Sequence, residues 1–411
     1  MRTRFLFLSC LLLYIHILNA QPALLKEQVL KSVLRYQEEG LVNFSSKQLS
    51  TLKNSPSRFD TSWKSSDYFQ LAIRMAYTLS VGKPSKPWLV YESIAAELEK
   101  AVYQRLNLAL EKVQTPSGLR DYFEFYRLPR SSKTKTLSKI ILSKERVYAN
   151  RPSRLLADTI RWLKHAYGVY HWIDHWEFSQ YIFVDVAAAE VQFIEGERVS
   201  LSMRAVVGKP STPTPFFAAW AERIVLYPYW YVPSSIATGE FLPKVKKDPT
   251  WLDRQNMQVI DREGKVVDTE NLNWSQFNAD YFPFTIRQST GCDNALGVLK
   301  VDVKTPLGVY LHDTNNKASF LLSKRFFSHG CIRVENPKKL ALYILRNNPN
   351  WNQKKIQLSI NNKKTITVQV KPTLPVYIVY FTAWIGNSGE INFRNDLYNL
   401  DYQLEKEIFN N

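Results

Sequence analysis

Residues 308–345 read "GVYLHDTNNKASFLLSKRFFSHGCIRVENPKKLALYIL". If its opening is a strand, Val309, Leu311 and Asp313 share one face and Tyr310, His312 and Thr314 the other. The apolar pair is expected to face a core, which turns Tyr310 and His312 toward a cleft. After fifteen intervening residues His312 is followed by "SHGCIR", Ser328 to Arg333. His329 and Cys331 are two apart, so an extended backbone sets both side chains on one side. Gly330 between them permits a bend and the close approach of a substrate. A neutral imidazole within reach of a thiol takes its proton and stabilises the thiolate. Arg333 would fix the loop or a carboxylate. A structural loop is the alternative for the hexapeptide alone. A helix is expected over Pro337–Leu345, with proline suited to the first turn.

Upstream, periodicity divides the chain. Leu25, Val29, Val33 and Tyr36 recur at helical spacing, as do Leu98, Val102, Leu106, Ala109 and Val113. Leu156, Ile160, Leu163 and Tyr167 form a third such face behind a candidate N-cap, Ser153. Near residue 180 the pattern alternates instead, in "QYIFVDV", "EVQFI" and "RVSLSMRAVVG", with "EGE" as a hairpin turn. Strands are expected to resume at "GVLKVDV" after a polar, mixed insert at 236–287, and again in "KIQLSI", "TITVQV" and "PVYIVYFTAW". The expected class is α+β: a helical N-terminal scaffold domain over 21–175, then a mainly β domain over 180–405 carrying the insert.

The chain has 411 residues, 45% of them hydrophobic, ample for more than one core. Arg2 and Arg4 precede an apolar run from Phe5 to Ile17, shorter than the roughly 20 residues that span a bilayer. With Ala20 as the cleavage residue, 1–20 reads as a signal peptide, so the protein is expected to be exported, to a periplasm or cell envelope. Removal of the leader leaves Cys292 and Cys331, too few for a disulfide scaffold. The formal charge of +17 attracts anionic surfaces. Export makes nucleic acid an unlikely partner. Arg127 to Arg154 is the densest basic stretch, with nine Lys/Arg and one acid, Glu145. It reads either as a solubilising face or as a contact for anionic envelope polymers. "HWIDHW" sets His171 and His175 four apart but lacks the glutamate of a zinc-protease helix, and Trp172 and Trp176 point to packing. No metal site is expected.

The histidine, the spacer and the Ser-His-Gly-Cys-x-Arg run resemble the L,D-transpeptidase catalytic motif, and residues 308–345 as a whole resemble the core of a YkuD-type domain. "RQSTGCDNALG", "YWYVPSSI", "NWSQF" and "PVYIVYFTAW" resemble the large Gram-negative members, over roughly residues 180–402. The resemblance implies Cys331 as nucleophile and His329 as its base, with the Gly330 carbonyl a candidate for orienting His329. Ser328 and Gly330 would shape the loop, and His312 and Tyr310 would line the oxyanion and substrate side. Arg333 would be structural or carboxylate-binding, and the insert a capping subdomain over the substrate groove. The implied reaction is acyl transfer between peptidoglycan stem peptides, giving a 3→3 cross-link without a cofactor. Water as acceptor would give an L,D-carboxypeptidase or a cross-link hydrolase, and attachment of a protein to the wall is a further option. A wall-binding scaffold with a relict site is the non-catalytic alternative. The separate peptidoglycan-binding domain often carried by large members is not recognisable here. Cys292 stands where the family usually has no cysteine. It is either a packing residue or a disulfide partner for Cys331.

Overall fold

The computed structural model describes residues 22–36, 67–81, 89–291, 293–386 and 389–401. The expected signal peptide and Cys292 lie outside them. The described residues fall into two compact units. One contains 22–36, 67–81, 94–177 and 383–393, the other 89–93, 178–382 and 394–401. The β unit therefore takes in the short segment 89–93 as well as the run from Phe178, and its tail does not stay whole. Ala383–Ile385 and Ile391–Phe393 pair as an antiparallel ribbon belonging to the helical unit. Ala383 joins a core cluster there with Leu137, Ile141, Ile160 and Leu163, and Phe393 meets Trp162 edge to face. Those apolar contacts claim "PVYIVYFTAW" for two units, although it alternates like a single strand.

In the helical unit, residues 22–36 form a helix that buries Leu25, Val29, Val33 and Tyr36, the face the spacing predicts. Ile94–Leu110 buries Val102 and Leu106 but ends at Leu110, which takes the last core position. Val113 lies beyond it, so the expected face is one turn too long. Pro116–Arg127 starts on a Thr115 cap, and Ser132–Asn150 on a Ser131 cap. Arg154–His175 starts where expected, with Ser153 Oγ accepting from the Leu156 amide at 3.3 Å. A cap of this kind is worth about 1 kcal/mol.

The second unit contains strands β1 (Tyr91–Glu92), β2 (Gln180–Asp185), β3 (Glu190–Glu195), β4 (Arg198–Gly208), β5 (Phe217–Leu226), β6 (Trp230–Tyr231), β7 (Met257–Ile260), β8 (Thr285–Gln288), β9 (Leu299–Val303), β10 (Leu311–His312), β11 (Phe326–Ser328), β12 (Ile332–Val334) and β13 (Ile366–Val379). The main sheet runs β5-β13-β2-β3-β4-β12-β10-β9, and β9 pairs again with β5. The order closes on itself, which removes the open edges of those eight strands. β1 attaches to β5 and β11 to β4. Val184, Val191, Phe193, Val206, Ile224, Leu311, Ile332 and Val376 are buried in this unit.

Two expectations are corrected here. "KIQLSI" is not a strand but part of the helix Gln353–Asn361. Asn352 caps it, and Ile356, Ser359 and Ile360 are buried at i, i+3 and i+4 while Leu358 is 49% exposed, a spacing only a helix satisfies. Within "GVYLHDT" only Leu311 and His312 are strand. Gly308 sits at φ 66, and the Asp313 carboxylate turns to accept the Val298 amide at 3.0 Å. Pro337–Leu345 is helical as expected, capped by Asn336.

The insert has its own small sheet, in the order β6-β8-β7, and its own core of Val232, Phe241, Val245, Leu252, Val259, Trp274, Phe277 and Ile286. It starts earlier than position 236, because Trp230 pairs with Gln288 and Tyr231 with Arg287 to close its base.

Candidate active site

β4 carries both arms of the SHGCIR loop. β11 lies along it in parallel, Phe326 opposite Val207, and β12 returns antiparallel, Arg333 opposite Val206. β10 runs parallel to β12, with Leu311 opposite Ile332 and His312 opposite Arg333. Two segments 21 residues apart in sequence are thus brought side by side, and the loop at Ser328–Cys331 leads from β11 into β12.

The loop is bent, not extended. Gly330 has φ 111, a conformation that favours glycine. Buried Ser328 staples the bend: its hydroxyl donates to the Cys331 carbonyl at 2.7 Å and accepts from the Gly330 amide at 3.1 Å. Thr214, fully buried, donates to the Gly330 carbonyl at 2.8 Å and accepts from the Gly208 amide at 2.9 Å. Tyr398 holds the same corner, donating to the Gly208 carbonyl at 2.6 Å. A Cβ at Gly208 would lie 2.3 Å from the Thr212 carbonyl oxygen, so only glycine fits where this buttress crosses β4.

Cys331 is partly accessible, and its thiol approaches the Gly308 carbonyl at 3.7 Å. Burial pushes the thiol up from its ordinary value. The Tyr310 amide and hydroxyl, both bonded to the sulphur, and the charges of Lys300 and Arg333 oppose that push. Tyr310 is itself pushed up by burial, then by the cysteine, while Trp230 bonds its hydroxyl. Lys300 Nζ lies 4.7 Å from the Tyr310 ring centre.

His329 bonds Glu240 Oε1 of the insert through Nε2, at 2.6 Å. The Gly330 carbonyl, expected to orient His329, takes its bond from Thr214 instead. His312 does not face an open cleft. It is 5% exposed, edge-on to Tyr310 at 5.5 Å between ring centres, and its Nδ1 has no hydrogen-bond partner among the described residues. Burial first, then Arg333, lowers its pKa to about 3, so the ring is neutral at physiological pH. Arg333 lies over Phe327, at 5.9 Å.

Residues 179–377 match the family model described as the L,D-transpeptidase catalytic domain, YkuD. This part of the chain is a YkuD L,D-transpeptidase catalytic domain. The match contains β2 through most of β13, the insert and the whole SHGCIR loop. A curated Haemophilus influenzae protein, provisionally named an L,D-transpeptidase, is 32% identical over 228 residues, which are 56% of this chain and 46% of that protein. The alignment thus spans less than half the length of that relative. Among solved structures, an L,D-transpeptidase from Mycobacterium smegmatis is 18% identical, with 49% of this chain and 58% of that one covered and a TM-score of 0.23. LdtMt1 in complex with imipenem is 16% identical, with 49% and 59% covered and a TM-score of 0.22.

Motif reading within the YkuD domain singles out Cys331, His329, Gly330, Ser328, Arg333, Tyr310 and His312. It misses Thr214, Tyr398, Lys300 and Glu240, none of which has a local signature, and it does not single out Trp230 within "YWYVPSSI". Among the described residues, no group of three or more His, Cys, Asp or Glu is placed to hold a metal ion. His171 and His175 pack in the helical unit instead, His171 Nε2 lying 2.9 Å from the Leu79 carbonyl oxygen. Thr214→Val keeps the shape of the buttress but leaves the Gly208 amide and Gly330 carbonyl without its hydroxyl. An unsatisfied buried group costs about 1–3 kcal/mol. The variant is expected to melt several degrees lower and to alkylate at Cys331 with altered rate, both read on the purified protein.

Proposed function

We propose that the chain is a peptidoglycan L,D-transpeptidase in which Cys331 is the nucleophile. The observation that carries this is a partly accessible thiol on a stapled glycine bend, faced by Tyr310, Lys300 and Arg333, inside a YkuD domain. His329 accepts the thiol proton, and the sulphur attacks the carbonyl of the third stem residue. Collapse of the tetrahedral species breaks the C–N bond to D-alanine, which leaves with that proton, and a thioester remains. An amine of a neighbouring stem then attacks the thioester. The C–S bond breaks, a new amide forms, and the amine proton returns through His329 to the sulphur. Donors at the Tyr310 side would stabilise the oxyanion, the interaction that usually carries most of the rate.

Mass spectrometry of the mature protein with a purified tetrapeptide muropeptide tests this. Loss of D-alanine together with 3→3 dimers supports it. Tripeptide without dimers would replace it by a carboxypeptidase, and no change dependent on Cys331 would overturn it.

The substrate's setting implies an exported enzyme in the cell envelope. No described helix is long and apolar enough to cross a membrane. The basic stretch from 127 to 154 includes exposed Lys135 and Lys139 on one helix, with Lys133 over the Tyr170 ring at 4.4 Å. These cations would hold the enzyme against anionic wall polymer. Neutralising Lys133, Lys135 and Lys139 together is expected to reduce pelleting with sacculi, most clearly at low salt. Unchanged pelleting would assign the stretch to solubility alone.

A further inference from the structure

Three neighbouring strands set a row of side chains beside the thiol. Lys300 of β9 stands opposite His312 of β10, and His312 stands opposite Arg333 of β12. Directly opposed residues project to the same face of a sheet, so the buried, neutral His312 has a cation on either flank. Both charges act on the Cys331 sulphur. Arg333 is laid over Phe327 and is desolvated by burial. The Lys300 side chain keeps 22% of its surface accessible. Its amine lies over the ring of Tyr310, whose hydroxyl bonds the sulphur, and pairs with Asp302 Oδ1 at 2.7 Å. An ammonium has three donors, and Asp302 takes one. Asp302 is in turn shared with Arg223, at 3.3 Å.

We propose that Lys300 is a specificity-determining residue that takes the terminal carboxylate of the tetrapeptide donor, a role that rests on the transpeptidase reading above. That carboxylate belongs to the D-alanine leaving group. It lies one residue, roughly 3.3–3.6 Å of chain, beyond the carbonyl that the sulphur attacks. A donor seated on Cys331 therefore brings it among the cations that face the thiol. The open donors of the Lys300 ammonium make charge-assisted bonds to it, stronger than bonds between neutral groups. The pair with Asp302 and the face of Tyr310 hold the amine in place before the donor arrives, so little side-chain freedom is lost on binding. A donor that ends in a carboxamide offers no charge to this amine, and the enzyme discriminates against it by the difference.

Lys300→Met and Lys300→Arg test this with two tetrapeptide muropeptides, one ending in D-alanine and one in D-alaninamide. Methionine is an unbranched apolar stand-in for the lysine stem, and Asp302 retains Arg223 as its partner. Release of D-alanine or D-alaninamide gives kcat and KM, and iodoacetamide alkylation of Cys331 reports the thiol without any muropeptide. The parent is expected to favour the acid by at least about tenfold in kcat/KM. Lys300→Met is expected to lose at least about tenfold on the acid, chiefly in KM, and no more than about threefold on the amide or in alkylation. Lys300→Arg keeps the charge and is expected to keep most of the preference. Equal losses on acid and amide would overturn the proposal and make Lys300 a charge that serves the thiol. A preference for the acid that survives in Lys300→Met would also overturn it and leave Arg333 as the cation in reach. A parent that alkylates at Cys331 but releases neither product would reject the transpeptidase reading itself, and the role of Lys300 with it.

Discussion

Cys331→Ala is expected to abolish D-alanine release and cross-linking, with a loss of at least about 10⁴-fold, the scale at which covalent nucleophiles are missed. No oxygen nucleophile can replace it. Ser328, the nearest hydroxyl in the loop, is buried and committed to the Cys331 carbonyl and the Gly330 amide. The Tyr310 hydroxyl is pushed further from ionisation by burial. Cys331→Ser should fail almost as completely, because an alkoxide is harder to form than a thiolate at a site that already disfavours the thiolate. Intact-protein mass spectrometry checks the point independently of muropeptides. A carbapenem is expected to add its whole mass to the parent protein, through opening of its β-lactam, and to leave both variants unmodified. The raised thiol also sets the pH dependence: in the resting protein Cys331 should alkylate more slowly than free cysteine at pH 7, and faster as the pH rises. Adduct formation on Cys331→Ala would remove Cys331 from its role.

What the sequence shows and hides follows from the range of each interaction. Leu25, Val29, Val33 and Tyr36, or Ser153 with its helix, are local patterns that a local backbone satisfies, so their helix and cap are readable. The SHGCIR loop is readable for the same reason: nucleophile, bend and staple occupy four positions. Thr214 and Tyr398 are not, because their bonds to Gly330 and Gly208 span 116 and 190 residues. Glu240 looks like any surface acid until the insert folds. "KIQLSI" misleads because three apolar residues at alternate positions satisfy a strand, while the Asn352 cap and one exposed leucine allow a helix. "GVYLHDT" misleads because a two-residue strand is enough to align His312 with Arg333.

Acidification from pH 7 to pH 5 is expected to destabilise the helical unit more than the β unit. Burial, then the charges of Arg105 and Arg130, lowers His175 to about 3, and burial lowers His171 as well. Below pH 6.5 the unfolded chain takes up protons that these folded rings refuse, so their contribution is present above 6.5 and is lost as the pH falls toward the folded values. At pH 5 one such histidine removes about 2 kcal/mol of stability. In the β unit His312, also at about 3, acts in the same direction, but Asp185 acts against it. Burial raises Asp185 to about 6 in spite of its 2.7 Å pair with Arg394. The folded state therefore binds a proton there between pH 6 and 4 that the unfolded state does not, and the two terms nearly cancel. Among the described residues of the helical unit, Glu124 is lowered by its bonds to Arg127 and Tyr36 against the opposing effect of burial, and it matters only below its ordinary value. Pulse proteolysis with peptide mapping at pH 7 and pH 5 should show cleavage rising first within 94–177. His175→Phe fills the same space among Tyr77 and Trp176 and removes two ring nitrogens that have no hydrogen-bond partner among the described residues. It should suppress most of the acid-induced cleavage there while gaining less at pH 7. Equal sensitivity of both units, or an unchanged response in His175→Phe, would show that these buried rings do not set the acid limit.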